Sequence, residues 1–332
     1  MEIKRPYLLF LGDAADPLAA KVAQGIKDWR PENALAQIRL EGCKADLGLT
    51  DMTIDEAVKA GAKTLVIGVA NRGGVISDAW VEVLTEALEA GLDLAAGLHN
   101  KLADVPVLKE TADKLGRKLF DVRHPTEVYP VASGVKRTGK RLLPVGTDCS
   151  CGKMYTALAI EKEMRARGMK ADFRATGQTG ILITGSGVSI DAVAADFISG
   201  SVETISPNND ADHWDLIEGQ GSVYHASFAG VTTGLIHGAQ ADALVLCHEP
   251  TRTHMRGLPD FPVPAMEDVM ELALHMAQLT NKDAKFVAIS INTSHLSEEE
   301  ADKYMKETEA KFGLPCVDPV RNGVARIVDV LS

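Results

Sequence analysis

Short aliphatic and β-branched runs alternate with longer amphipathic stretches along most of the chain. Residues 7–11, 38–40, 64–69, 92–96 and 118–122 are compact apolar runs bounded by turn residues, and they predict strands. Thr53 stands three residues before Glu56, a capping box that opens a helix. Residues 77–90 carry helical periodicity and stop at Gly91, a residue suited to the left-handed position after a helix. Strands alternating with helices predict a parallel sheet covered by helices. No G-x-G-x-x-G follows the first run, so this half carries no fingerprint for a dinucleotide.

Pro125 and Pro130 flank a segment that leads into Gly134 and the basic run Lys136, Arg137, Lys140 and Arg141. It reads as a linker whose charges face water. Beyond it the alternation resumes. Strands are predicted at 141–145, 171–176, 214–217, 243–247 and 285–291. Helices are predicted up to Arg167 with Gly168 as the stop, at 190–198 and at 267–278. A further, final helix is opened by Ser297-x-x-Glu300 and closed by Gly313. The glycine-bearing stretch around Gly177, Gln178, Thr179 and Gly180 reads as a turn.

The chain has 332 residues, enough for two domains and a full core without disulfides. Its 35 basic against 46 acidic residues give a net charge of −11, which works against a nucleic-acid partner. No apolar run has the length of a membrane span, and no export signal is seen, so the expected location is the cytoplasm. The five cysteines read as reduced thiols, and no metal-ligand spacing accompanies Cys149 and Cys151. Small-molecule substrates and a homo-oligomer are the expected partners.

The most informative stretch is Gly146-Thr-Asp-Cys-Ser-Cys-Gly-Lys-Met154, lying between a predicted strand and a predicted helix. Successive N–H groups in such a loop form an anion nest, and the helix N-terminus adds its dipole. Lys153 supplies a point charge for phosphates. Thr147 takes the place of the usual first glycine, and Gly146 stands one residue further out. That variant is similar to the loop of dethiobiotin synthetases. Met154 replaces the Ser or Thr whose hydroxyl normally binds Mg²⁺, and a thioether is a poor ligand for a hard cation. Thr156 is turned about 200° away along the helix. The loop is thus equipped to hold phosphates rather than to transfer one, and coenzyme A is a ligand of that kind. Asp148 and Glu218 are the residues through which Mg²⁺ would enter if the chain were instead an ATP-dependent kinase or ligase. Glu218 follows the strand at 214–217, where a carboxylate lies beside such a loop.

Taken in order, several further segments carry a specific likeness. These are Gly68-Val-Ala-Asn-Arg-Gly-Gly74 with Trp80, Ala96-Gly-Leu-His99 and Asp121-Val-Arg123, then Ala175-Thr-Gly-Gln-Thr-Gly180, Asp191 to Gly200, Ile217-Glu-Gly-Gln-Gly-Ser222 and Cys247-His-Glu-Pro-Thr-Arg252. With the loop they resemble the DgcN-type D-glutamate N-acetyltransferases over nearly the whole chain. The resemblance implies an α/β fold of two domains: a Rossmann-like parallel sheet over 1–133, then a dethiobiotin-synthetase-like P-loop three-layer domain over 134–332. It implies acetyl transfer from acetyl-CoA to the amino group of D-glutamate, within D-glutamate catabolism. It assigns no base.

For the chemistry itself, the residues offer Asp210 and His213 in one polar segment and His248 in another as bases. His99 and His225 are weaker candidates. Gln178 sits among backbone donors suited to an oxyanion. Arg252 and Arg256, with Arg72 and Arg123, offer planar forks for the acceptor's carboxylates. Gly146, Thr147, Asp148, Cys149, Ser150, Cys151, Gly152, Lys153, Met154 and Glu218 form the expected cofactor site. A thiol at Cys149 or Cys151 could carry the acetyl group, but direct attack by the amine is the preferred course. A protein that binds nucleotide or CoA for regulation, without turnover, is the third class.

Overall fold

The computed structural model describes residues 2–69 and 74–332. Two compact units form. One comprises the described residues up to Glu127 together with Gly177–Ala192, and the other Val128–Thr176 and Val193–Ser332.

In the first unit, β1 (Tyr7–Gly12), β2 (Ala34–Arg39), β3 (Thr64–Ile67), β4 (Asp93–Ala96) and β5 (Leu119–Asp121) make a parallel sheet in the order β2-β1-β3-β4-β5. Every residue of β1 is buried, as expected of a strand covered on both faces. The connecting helices are α1 (Lys21–Trp29), α2 (Ile54–Lys59), α3 (Asp78–Glu89) and α4 (Pro106–Leu115). Both halves of the Thr53–Glu56 capping box are present at the start of α2. β2 begins at Ala34, earlier than the run at 38–40 predicts. Gln37 breaks the apolar pattern there, yet it is buried because its side chain bonds Asp46, Asp51 and the Leu47 N–H.

The stretch read as a glycine turn is a helix, α6 (Gln178–Thr184), in this same unit. Its Ile181, Leu182 and Ile183 are buried, and Ile183 lies against Gly25 of α1. The helix predicted at 190–198 is also corrected. Two 3₁₀ turns, Ile190–Ala192 and Ala195–Phe197, precede α7 (Ile198–Ile205) in its place.

In the second unit the strands are β6 (Lys140–Gly146), β7 (Ala171–Arg174), β8 (Trp214–Ile217), β9 (Ala243–His248), β12 (Lys285–Ile291) and β13 (Cys316–Val317). They form a parallel sheet in the order β13-β12-β9-β6-β8-β7. A small antiparallel ribbon, β10 (His254–Met255) with β11 (Leu258–Pro262), follows β9. The helices are α5 (Lys153–Ala166), α7, α8 (Ala229–Ala239), α9 (Met266–Gln278), α10 (Glu298–Phe312) and α11 (Ala325–Leu331). The central strand β6 runs straight into the predicted phosphate loop, and α5 begins at its lysine. Helix α8 is invisible to a reading that treats glycine as a breaker. Its Gly234 and Gly238 instead let α7 approach: a Cβ on Gly238 would lie 2.4 Å from the Ser199 carbonyl oxygen.

The basic run after Pro130 faces water only in part: Lys136 and Lys140 are exposed, whereas Arg137 and Arg141 turn inward. Arg141 is fully buried; its Nη2 donates to the carbonyls of Thr138 and Pro207 (both 2.9 Å) and its Nη1 to that of Arg137 (3.2 Å), with Asp215 at 4.0 Å from Nε. Arg137 donates to the carbonyls of Ser206 (2.7 Å) and Gly238 (2.8 Å), at the C-terminal ends of α7 and α8, where a cation meets the negative dipole ends. Burial pushes the Arg137 guanidinium down to about 10. Breaking such a buried charge cluster costs about 3–5 kcal/mol. Arg141→Met is therefore expected to lower unfolding stability by that amount, measured by urea titration. A loss within 1 kcal/mol would show that the charge is dispensable.

Candidate phosphate-binding and acyl-transfer site

The loop after β6 bends through two left-handed positions, Ser150 (φ 53°) and Gly152 (φ 110°). Such a path turns consecutive N–H groups toward one point and makes an anion nest. Lys153 opens α5 and is buried; its Nζ donates to the Asp148 carbonyl at 2.7 Å and lies 3.6 Å from Cys151 Sγ. Gly146 is required by this packing, because a Cβ there would stand 2.5 Å from Cys151 Sγ and 3.1 Å from Lys153 Nζ. Gly219, just past β8, is required likewise. Its Cβ would fall 1.9 Å from the Pro144 carbonyl oxygen and 2.9 Å from Lys153 Cδ.

Thr147, the residue in place of the usual glycine, has a use of its own. Its hydroxyl shares a 2.9 Å hydrogen bond with His248 Nδ1 at the carboxyl end of β9. Burial depresses His248 from its ordinary 6.5 to about 4, so the imidazole is neutral near pH 7. Its ring stacks on Tyr304 with centroids 6.3 Å apart.

Asp148 is buried and fully engaged. Oδ1 accepts the Cys149 N–H at 2.6 Å; Oδ2 accepts Arg252 Nη1 at 2.6 Å and the Arg256 N–H at 2.8 Å. Arg252 also donates to the Cys149 carbonyl (2.6 Å) and, through Nε, to Glu249 (3.0 Å). Glu249 in turn accepts the Thr251 hydroxyl. His225 stands 3.9 Å from Asp148 Oδ1 and is bonded to the Arg256 carbonyl through Nε2. Thr156 faces inward to Ser290 (2.8 Å) and Cys247, away from the nest. Glu218 accepts the Thr176 N–H at 2.9 Å. Burial pushes the Cys149 thiol up, against the lowered value an acyl-carrying thiolate needs.

The structure thus brings the nest residues, Glu218 and His248 to the carboxyl ends of β6, β8 and β9, where parallel α/β sheets bind ligands. Asp210 and His213 are not brought there. They precede β8, and the His213 carbonyl accepts the N–H of Lys140, at the start of β6. At about 3.3 Å per residue, the length of β6 separates them from the loop by roughly 20 Å. Asp210 pairs with Lys170, and His213 with Asp172. Arg252, expected as a clamp for substrate carboxylates, has its guanidinium committed to Asp148, Glu249 and loop carbonyls. Arg256 reaches the site by its N–H, and its side chain is exposed. Arg123 pairs with Asp191 at 3.2 Å in the first unit, where Gln178 opens α6 and His99 is exposed. Arg72 lies outside the described residues. His225, ranked low on sequence, sits within the site. The glycines before it, which let the chain pass close to the loop, were the available signal.

A nest with its lysine but no hydroxyl after it, in a parallel sheet preceded by a second parallel sheet, defines a two-domain P-loop protein of three-layer α/β architecture. The chain belongs to the DUF1611 family. Its residues 38–125 match the family's Rossmann-like N-terminal domain and 130–328 its P-loop C-terminal domain, both described as domains of unknown function. It is similar to a "D-glutamate N-acetyltransferase" of Tritonibacter scottomollicae, with 65% identity over 99% of both chains. A protein of the same name from Pseudoalteromonas sp. is 51% identical over 99% of both chains. The crystal structure of a DUF1611 family protein from Anabaena variabilis is similar at TM-score 0.82 and 32% identity, covering 99% of both chains. Among the described residues, no helix is long and apolar enough to cross a membrane.

Proposed function

We propose that this chain transfers the acetyl group of acetyl-CoA to the amino nitrogen of D-glutamate, giving N-acetyl-D-glutamate and CoA. The full-length likeness to two relatives of that name carries the reading. The nest supports the donor: it offers N–H groups, a helix N-terminus and Lys153 to the phosphates of CoA. The reaction belongs in the cytoplasm, where acetyl-CoA is available, and serves D-glutamate breakdown.

The amine attacks the thioester carbon, the oxyanion collapses, and CoA leaves as a thiol. The glutamate nitrogen attacks as the free amine, and as the N–C bond forms it becomes more acidic than the free ammonium. A neutral imidazole can take its proton at that moment, and His248 is the neutral imidazole beside the nest. Direct attack needs no thiolate, in accord with the raised Cys149 thiol. Arg256, whose guanidinium is exposed, is the cation we assign to the acceptor's carboxylate.

The test mixes purified protein with acetyl-CoA and either enantiomer of glutamate and follows free thiol; a parallel reaction with ATP follows phosphate and ADP. Thiol release that requires D-glutamate is expected. Nucleotide hydrolysis without thiol release would replace the reading with a kinase or ligase.

A further inference from the structure

P-loop folds ordinarily hold phosphates together with Mg²⁺, using a hydroxyl after the lysine and a nearby carboxylate. Here the position after the lysine has no hydroxyl, and the two nearby carboxylates are engaged in the protein's own bonds, Glu218 accepting the Thr176 N–H at 2.9 Å. Position 154 is a methionine, and Thr156 is turned toward Ser290 and Cys247. Both oxygens of Asp148 already accept hydrogen bonds, including a 2.6 Å ion pair with Arg252. Asp148, Cys149 and His225 do bring three ligand atoms within 4.8 Å of one another. They do not make a metal site, however. His225 Nδ1 accepts the Ser227 N–H at 3.2 Å, which leaves the proton on Nε2, where it is donated to the Arg256 carbonyl at 3.0 Å.

We infer that Arg252 is the resident cation of this P-loop, and that the loop grips a diphosphate without a divalent ion. This rests on the proposed CoA reading for its natural ligand only. Arg252 is a positioning residue: its fork ties Asp148, the Cys149 carbonyl and Glu249 together, and so sets the nest's shape and occupies the Asp148 carboxylate that a divalent ion would otherwise take. The contact needs no hydrated ion, and the guanidinium stays charged across the physiological range.

Calorimetric binding of CoA and of ADP to the full chain, in EDTA and in excess MgCl₂, tests this. Affinities in EDTA equal to or tighter than those in Mg²⁺ are expected for both. Diphosphate binding that tightens tenfold or more with Mg²⁺ overturns the inference. If ADP binds without metal and CoA does not bind, the inference stands and the acetyl-CoA reading falls. If neither binds, both fall. Arg252→Ala separates positioning from mere support. Released from its partner, Asp148 is expected to recruit the ion, so the variant binds CoA about tenfold or more weakly in EDTA and regains affinity when Mg²⁺ is added. Arg252→Lys keeps the charge but not the fork and is expected to fall between them. An Arg252→Ala protein that is folded by circular dichroism and binds as the parent does, with no response to Mg²⁺, also overturns the inference.

Discussion

Replacing His248 with Asn is expected to lower kcat for D-glutamate acetylation by about 10²–10⁴-fold, the usual contribution of a general base. KM for acetyl-CoA should change far less, because the residue acts on the attacking nitrogen rather than on phosphates. Steady-state kinetics at saturating acetyl-CoA measure both. A kcat within threefold of the parent would remove His248 from the proton path. The pH dependence is a second signature. With His248 depressed to about 4, the acid limb it controls falls near pH 4 instead of near 6.5. Stability follows the same group. Below pH 6.5 the unfolded chain binds a proton that the folded chain refuses. The stability tied to this residue is complete above pH 6.5 and declines through the interval down to about pH 4. At 1.36 kcal/mol per pKa unit, its ceiling is about 3 kcal/mol. Urea unfolding of the parent and of His248→Asn at pH 7 and pH 5 isolates it by difference. The parent's advantage should shrink at pH 5.

Lys153→Ala is expected to raise KM for acetyl-CoA by about 10–100-fold, the range for a hydrogen bond to a charged group worth about 1.5–3 kcal/mol. KM for D-glutamate should move far less. The lysine is buried and bound to the Asp148 carbonyl at 2.7 Å, so its removal also loosens the loop. Lys153→Arg provides the control. It retains the charge, but its larger head must enter a space bounded by Gly146, Gly219 and Cys151. An unchanged acetyl-CoA KM in Lys153→Ala, with the protein folded, would take the lysine out of the phosphate site.

Several elements were readable from local pattern because their cause is local. The capping boxes at Thr53 and Ser297 form as their spacing implies, since each is completed within one turn. Strands Trp214–Ile217 and Lys285–Ile291 coincide with their apolar runs, as expected of strands buried on both faces. The readings that failed depended on distant partners. Glycines in α8 face a neighbouring helix rather than a turn. Arg137 and Arg141 are drawn inward by carbonyls some 65–102 residues away. The segment 177–184 is a helix because its three aliphatic residues find a buried face in the first unit.

At the site, the sequence by itself determined the strand–nest–helix, its lysine and the missing hydroxyl, because a phosphate loop is written in consecutive residues. It also carried the family, through motifs in a fixed order. Only the tertiary structure decided which charged groups meet that loop. Sheet order sets His248 beside Thr147 and leaves Asp210 and His213 at the far end of the strands. It also commits Arg252 to Asp148 across 104 residues of chain. Charge pairing across such separations depends on strand order and direction, and no spacing along the chain encodes it.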